Sequence, residues 1–433
     1  MATDGLALPL PSVRSRFAPW VAEAAFVALL LLVFVGLEPF ELRDAATLAT
    51  TSGAGSFARQ ACYILVFSVI VAAAYDRDRL DALRVVPLGI LLVLGWCALS
   101  AAWSGVPGVV IRRAGLEFFV VFSAMLSVNT VGAERALRLW RYVLAGILII
   151  NWLSIPLVPQ AVHLPGENDP SIVGDWRGLY FQKNITGAVT AISAMIFLYY
   201  FMRERRWIDL GLLAAALGFL AMTHSKSSLG FLPMALLLGG VYRLGWKRDL
   251  DRLIVAIGAI LFFIVIAVIV VAHADQISRF LQNPEGFTGR TEIWRAEIDY
   301  IRDHMWLGAG YGTFADTGGQ SPLHNYVDMK WVATQPHGHN GYLQLLVTIG
   351  AIGFALSMFA FVVMPLLDFW RRDLDNLPMK ALLFAIFVFV VLHNFLESDY
   401  LESDGVTWVS LLMVIAMMRT MRPSVLSSWR NPP

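Results

Sequence analysis

Charge is what this sequence has least of. Only 15% of its 433 residues are Asp, Glu, Lys or Arg, where soluble domains carry about 25%. The formal net charge is +1, which gives no reason to invoke nucleic acid. Cysteine is almost absent: Cys62 and Cys97 both fall inside apolar runs, which suits small apolar side chains and argues against a disulfide framework. No HExxH, CxxC or clustered carboxylate is present to complete a metal site around the histidines. The first residues, MATDGLALPLPSVRSRFAPW, lack a basic region followed at once by a short apolar core and a small-residue cleavage site. They read as a cytoplasmic tail instead of a cleaved signal.

What is there in excess is hydrophobicity. Apolar residues make up 58% of the chain and the mean hydropathy is +0.64. A membrane-spanning helix needs roughly 20 mostly apolar residues. Twelve segments meet or approach that length, at 20–37, 60–75, 85–103, 114–130, 139–158, 185–202, 207–223, 227–243, 252–273, 340–367, 380–397 and 404–421. The expected fold is therefore an all-α polytopic membrane protein of about twelve transmembrane helices. Cytoplasmic loops are enriched in Lys and Arg. With the N-terminus inside, most basic residues fall in short inner loops such as RERR, 203–206, while the last outer turn, ESDYLESDG, 397–405, is wholly acidic. Both termini are then cytoplasmic. The expected organisation is a tail at 1–19, helices one to nine at 20–273, a large outer loop at 274–339, helices ten to twelve at 340–421, and a tail at 422–433.

Two outer connections are longer than joining neighbouring helices requires, 159–184 and 274–339. The second is rich in Trp, Tyr, Phe and Gly, and TEIWRAEIDYIRDH, 291–304, has apolar positions at helical spacing. It reads as a folded cap holding at least one amphipathic helix.

Four clusters of potential chemistry lie on the outer side. GDWRGLYFQKN, 174–184, carries Arg177 and Lys183; MTHSKSS, 222–228, carries His224 and Lys226. FTGRTEIWR, 287–295, carries Arg290 and Arg295; PHGHN, 336–340, carries His337, His339 and Asn340. Each has a plain reading: basic residues near helix ends snorkel to the interface or meet lipid headgroups, and Asn340 suits a helix N-cap. A zinc site on His337 and His339 lacks further ligands, since the acidic outer turn has no histidine at useful spacing. Together the clusters suit a polyanionic ligand presented from the membrane. Arg grips phosphate oxygens as a fork and Lys as a point charge. A neutral imidazole can take a proton from a hydroxyl nucleophile. No DxD-like pair appears on the outer side, so arginine and lysine would offset the charge of a departing diphosphate.

GDWRGLYFQKN, MTHSKSS, GRTEIW, GAGYGTF and above all HGHNGYLQLLVTIGAIG resemble the O-antigen ligase and O-antigen polymerase (Wzy-like) superfamily, nearest to its exopolysaccharide polymerases of the succinoglycan type. The resemblance covers roughly 160–400. It implies a GT-C-like glycosyltransferase in the bacterial inner membrane with its active site facing the periplasm. Such an enzyme needs no metal or other cofactor. It moves a glycan from undecaprenyl diphosphate to an acceptor hydroxyl on a growing exopolysaccharide, with inversion. A flippase and a chain-length regulator are the implied partners, beside membrane lipids. Carried over residue by residue, Arg177, Arg290 and His339 are the catalytic set, with His339 as base. Lys226, which stands where members carry arginine after threonine-x-serine, and Lys183, Arg295, His337 and Asn340 bind the diphosphate or glycan. Transfer of finished polysaccharide to lipid A core, as a ligase does, is the alternative within the family; a polytopic transporter is the alternative outside it.

Overall fold

The computed structural model describes residues 18–41, 56–165, 167, 170–245, 290–327, 338–370 and 376–421. The expected ninth span, residues 1–17 and 422–433 of the tails, His337 and the loop segments 274–289 and 328–337 lie outside the described residues.

Among the described residues the apolar runs form helices. In chain order these are α1 (Pro19–Phe34), α2 (Phe57–Asp78), α3 (Leu88–Leu99), α4 (Pro107–Val131), α5 (Ala133–Leu157), α6 (Lys183–Glu204), α7 (Trp207–Met222) and α8 (Lys226–Gly245). Then follow α9 (Arg290–Asp303), α10 (Gly341–Met358), α11 (Met364–Trp370), α12 (Leu377–His393) and α13 (Val406–Thr420). Among the described residues there is no strand, only one isolated bridge between Val162 and Trp176. Among the described residues five stretches are long and apolar enough to cross a membrane: Phe57–Val85, Ala133–Leu157, Lys183–Glu204, Lys226–Leu244 and Gly341–Trp370. Shorter apolar helices accompany them, including Pro19–Phe34, Trp207–Met222, Leu377–His393 and Val406–Thr420. The protein is thus a polytopic helical membrane protein. The expectation of twelve spans is finer than these helices decide. Several are shorter than the roughly 20 residues a perpendicular crossing needs, and the ninth is outside the described residues.

The helices differ in which faces they bury. Every residue of α13 from Val406 to Met418 is buried, and α6 is buried almost throughout from Thr186 to Tyr200. A helix apolar on all sides belongs at the centre of its bundle, and α13 packs against α4, α5, α6 and α12. Peripheral helices instead leave large apolar side chains exposed, among them Ile64, Leu65, Leu88, Leu92, Ile149, Leu153 and Leu237. Such a girdle has no stable solution in water and suits lipid. Gly239 of α8 lets Ala381 and Ala385 of α12 approach so closely that any Cβ there would sit 2.8 Å from that of Ala385, the close small-residue packing that membrane helices use.

α10 is broken. Gly350 has φ 67° and ψ −177° inside it, a left-handed conformation that favours glycine. The backbone groups freed by the break would be costly in a bilayer. A segment of the cap satisfies them: Ala309 N donates to Val347 O at 2.9 Å, Gly310 N to Thr348 O at 2.8 Å, and Ala351 N to Met305 O at 2.8 Å. Trp96 Nε1 adds a bond to Ile349 O at 3.0 Å. The motif GAGYGTF, 308–314, is therefore the strap that docks the cap into the bundle. Tyr311 extends it, donating from its hydroxyl to Leu401 O at 2.7 Å and to Glu117 Oε2 at 3.1 Å. The amphipathic cap helix expected at 291–304 is α9, and its buried face packs on α10.

Candidate active site

The 394–405 turn, the loop 158–182, the α7–α8 turn, the start of α9 and the residues before α10 meet at one end of the bundle. Asn340 is the N-cap of α10. Its side chain accepts from Tyr342 N and Leu343 N, both at 3.1 Å, as the sequence led one to expect. That cap holds the chain extended at Asn340 and leaves His339 in the left-handed region, φ 52°.

His339 does not stand alone. Its Nδ1 lies 3.0 Å from Glu397 Oε2. The other oxygen of Glu397 accepts from Arg290 Nη2 at 3.0 Å and from Asn184 Nδ2 at 2.7 Å. Arg290 also donates to Leu396 O. One buried carboxylate thus binds a residue from α6, a residue from α9 and the histidine ahead of α10. Burial alone would push the Glu397 carboxyl up, but His339, Arg290 and His393 outweigh it and hold it well below the usual carboxylate range. When the ring is neutral and Nδ1 donates to the carboxylate, its lone pair lies on Nε2, the tautomer a general base requires.

Arg177 is placed otherwise. It is 1% exposed, and its Nε and Nη1 donate to Gln160 O and Phe181 O at 2.6 and 3.2 Å, while Glu167 supplies the counter-charge. His163 Nδ1 meets the same Glu167 at 2.6 Å, and its Nε2 accepts from Lys183 N at 3.3 Å. Arg177 therefore pins the 158–182 loop onto the start of α6. Lys183 pairs its ammonium with Asp175, whose second oxygen lies 2.6 Å from His224 Nδ1. Lys226, in the first turn of α8, is exposed and forms no ion pair among the described residues. Arg295 is on the exposed face of α9, 3.4 Å from Glu292, and is not brought to Glu397. His337 lies outside the described residues.

Glu397, Asn184, Asp175 and His163 are the site residues that sequence reasoning passed over. From sequence, the acidic turn shows no histidine at useful spacing. The structure corrects this: His339 reaches Glu397, and His393 Nδ1 lies 2.8 Å from Asp399 Oδ2. The signal that existed was HNFLESDY, 393–400, a polar break after an apolar helix. α9 contributes one more feature: Trp294 Nε1 donates to Gly338 O at 2.7 Å. On the same face, Glu297 is buried beneath Gly338 with neither carboxyl oxygen hydrogen-bonded among the described residues. Burial pushes that carboxyl up to about 8. Among the described residues no group of three or more His, Cys, Asp or Glu is arranged to hold a metal ion.

Chemically, this end of the bundle combines a carboxylate-oriented imidazole, a guanidinium beside it and an exposed ammonium nearby in the α7–α8 turn. Comparison with known proteins agrees with the motifs. Residues 210–358, which include His224, Lys226, Arg290 and His339, match the O-antigen ligase family model. The exopolysaccharide production protein ExoQ of Rhizobium meliloti (strain 1021) is 22% identical over 320 residues, 71% of each chain. The chain resembles the O-antigen ligase and polymerase superfamily, on its exopolysaccharide side.

Proposed function

We propose that this chain is a membrane glycosyltransferase that polymerises oligosaccharide repeat units carried on undecaprenyl diphosphate into exopolysaccharide, at the periplasmic face of the bacterial inner membrane. The observation that carries the reading is Glu397 holding His339 Nδ1 and Arg290 together at the mouth of α10. His339 Nε2 takes the proton of the acceptor hydroxyl as its oxygen attacks the anomeric carbon. The bond from that carbon to the diphosphate oxygen breaks with its electron pair on the leaving lipid diphosphate. A single displacement inverts the configuration. Arg290 and Lys226 offset the charge that develops on the leaving group, and the buried Arg177 keeps the neighbouring loop in place. Twelve helices with both termini cytoplasmic would set this end of the bundle outside, and a flippase and a chain-length regulator would deliver and limit the substrate.

The test is an assay of purified protein with a defined undecaprenyl diphosphate oligosaccharide and no added metal. Polymer should form, and His339→Ala and Arg290→Ala should each lower its rate by about 100-fold or more. Full activity in both well-folded variants would sink the assignment. The family description favours a second reading, ligation of finished polysaccharide to lipid A core. A null strain separates the two. Loss of secreted polysaccharide supports the polymerase, and loss of O-antigen from lipopolysaccharide supports the ligase.

A further inference from the structure

The His339–Glu397 pair has a counterpart across the first turn of α6. His224 Nδ1 lies 2.6 Å from Asp175 Oδ1, in the same relation as His339 Nδ1 to Glu397. Both histidines adopt the left-handed backbone region, φ 49° for His224 and 52° for His339, which non-glycine residues seldom occupy and which gathers at functional positions. Both carboxylates are tied to consecutive residues of α6: Asp175 to Lys183 and Glu397 to Asn184. Their anchoring Cα atoms are therefore only about 3.8 Å apart.

The two pairs differ in exposure and in charge. The His339 side chain is 13% exposed and shares its carboxylate with Arg290. That of His224 is 63% exposed. A side chain needing only to fill space at a helix turn has no reason to be strained, exposed and fixed by a buried carboxylate together. Asp175 is itself buried, and the loop around it is tied to the turn by Trp176 N donating to Met222 O at 3.1 Å. The aspartate therefore holds one ring orientation, with Nδ1 inward and the lone pair of Nε2 outward. Lys183 neutralises Asp175, so among the described residues the free cation at this turn is Lys226, two residues along, and His224 Nε2 itself offers an acceptor instead of a charge. A diphosphate needs cations; a neutral, oriented hydrogen-bond acceptor suits a hydroxyl.

We propose that His224, fixed by Asp175, is an acceptor-saccharide subsite in which Nε2 accepts a hydrogen bond from a glycan hydroxyl and sets the acceptor's approach to His339. The inference rests on the glycosyltransferase reading for its substrate class. His224 is a binding residue here, and no bond forms or breaks at it. Asp175 is a positioning residue that acts through His224.

The test uses full-length protein in detergent and a short-chain alkyl glycoside of one repeat unit, an acceptor without diphosphate. Saturation-transfer NMR without donor reads binding directly. Steady-state transfer from the lipid-linked donor reads the kinetics. His224→Ala should raise the acceptor KM and weaken the NMR-detected binding by about tenfold, the size of one lost hydrogen bond to a neutral group, with donor KM unchanged. His224→Gln, which keeps an acceptor atom, should recover much of the loss. Asp175→Asn should fall between the two, and thermal melting of the exposed-site variants should match the wild type. Unchanged acceptor binding in His224→Ala overturns the subsite, as does an equal rise in donor and acceptor KM. If the wild type binds the glycoside in a His224-dependent way but makes no polymer, the subsite stands and the polymerase reading fails.

Discussion

Glu397 shows what one residue decides. Its carboxylate is buried, bound by three donors and held low by His339, Arg290 and His393. A carboxyl whose folded pKa lies below its unfolded one adds stability above the unfolded value and loses it as pH falls towards the folded one. Glu397→Gln removes the charge while keeping the shape, leaving Arg290 beside His339 without a counter-ion. Breaking a buried pair this way costs about 3–5 kcal/mol. The variant should melt several degrees lower at pH 7, with the gap narrowing in acid, and should lose most polymer synthesis. Wild-type melting and activity in Glu397→Gln would show that the carboxylate organises nothing. Glu297 has the opposite sign. Its acid form is favoured, so between about pH 4.5 and 8 the native chain keeps a proton that the unfolded chain has released. It therefore weakens the fold as pH rises through that window. Glu297→Gln should raise the melting temperature more at pH 8 than at pH 5, by roughly 2–4 °C for each kcal/mol recovered. An equal change at both values would mean the carboxyl is not held neutral. Of these residues, sequence made His339 and Asn340 visible, because a cap is a local pattern. Glu397 stayed hidden because its partners come from three other parts of the chain.

At the scale of elements, the break in α10 is what joins cap to bundle. The mostly apolar segment 340–367 reads as one span; Gly350 alone does not announce a break. What breaks the helix is tertiary: residues 305–310 come in from the cap and replace its hydrogen bonds. A Cβ at Gly350 would lie 2.2 Å from Trp306 O, and one at Gly308 2.7 Å from Thr348 O. Gly350→Ala meets both a backbone clash and a left-handed φ, each costing on the order of 1–3 kcal/mol or more. It should abolish stable expression or dissociate the cap, detected as faster proteolysis within 290–327. Gly146→Ala, in α5 with nothing near its Cβ, should be neutral or slightly stabilising. Equal behaviour of the two would show that the cap strap is not essential.

For the molecule as a whole, the proposed topology, drawn from charge bias, has α9 and the acidic turn outside and the RERR turn inside. That distribution predicts the outcome of impermeant thiol labelling in intact cells. On a background lacking Cys62 and Cys97, Arg302→Cys on α9 should react directly, and Arg206→Cys only after permeabilisation. Both positions are exposed in the fold, so a reversed pattern would invert the topology and move the proposed active site to the cytoplasm.

Composition and periodicity were enough to establish a polytopic helical membrane protein, a folded cap with an amphipathic helix, and a histidine-asparagine cap at the mouth of α10, because hydrophobic length and local hydrogen bonding are properties of contiguous residues. Tertiary structure alone decided which charges meet. It turned Arg177 inward to pin a loop, left Lys226 exposed, and paired His339 and His224 with carboxylates 58 and 49 positions away. The physical reason is that a buried charge must find its partner in space, and spacing along the chain does not record where the helix ends come together.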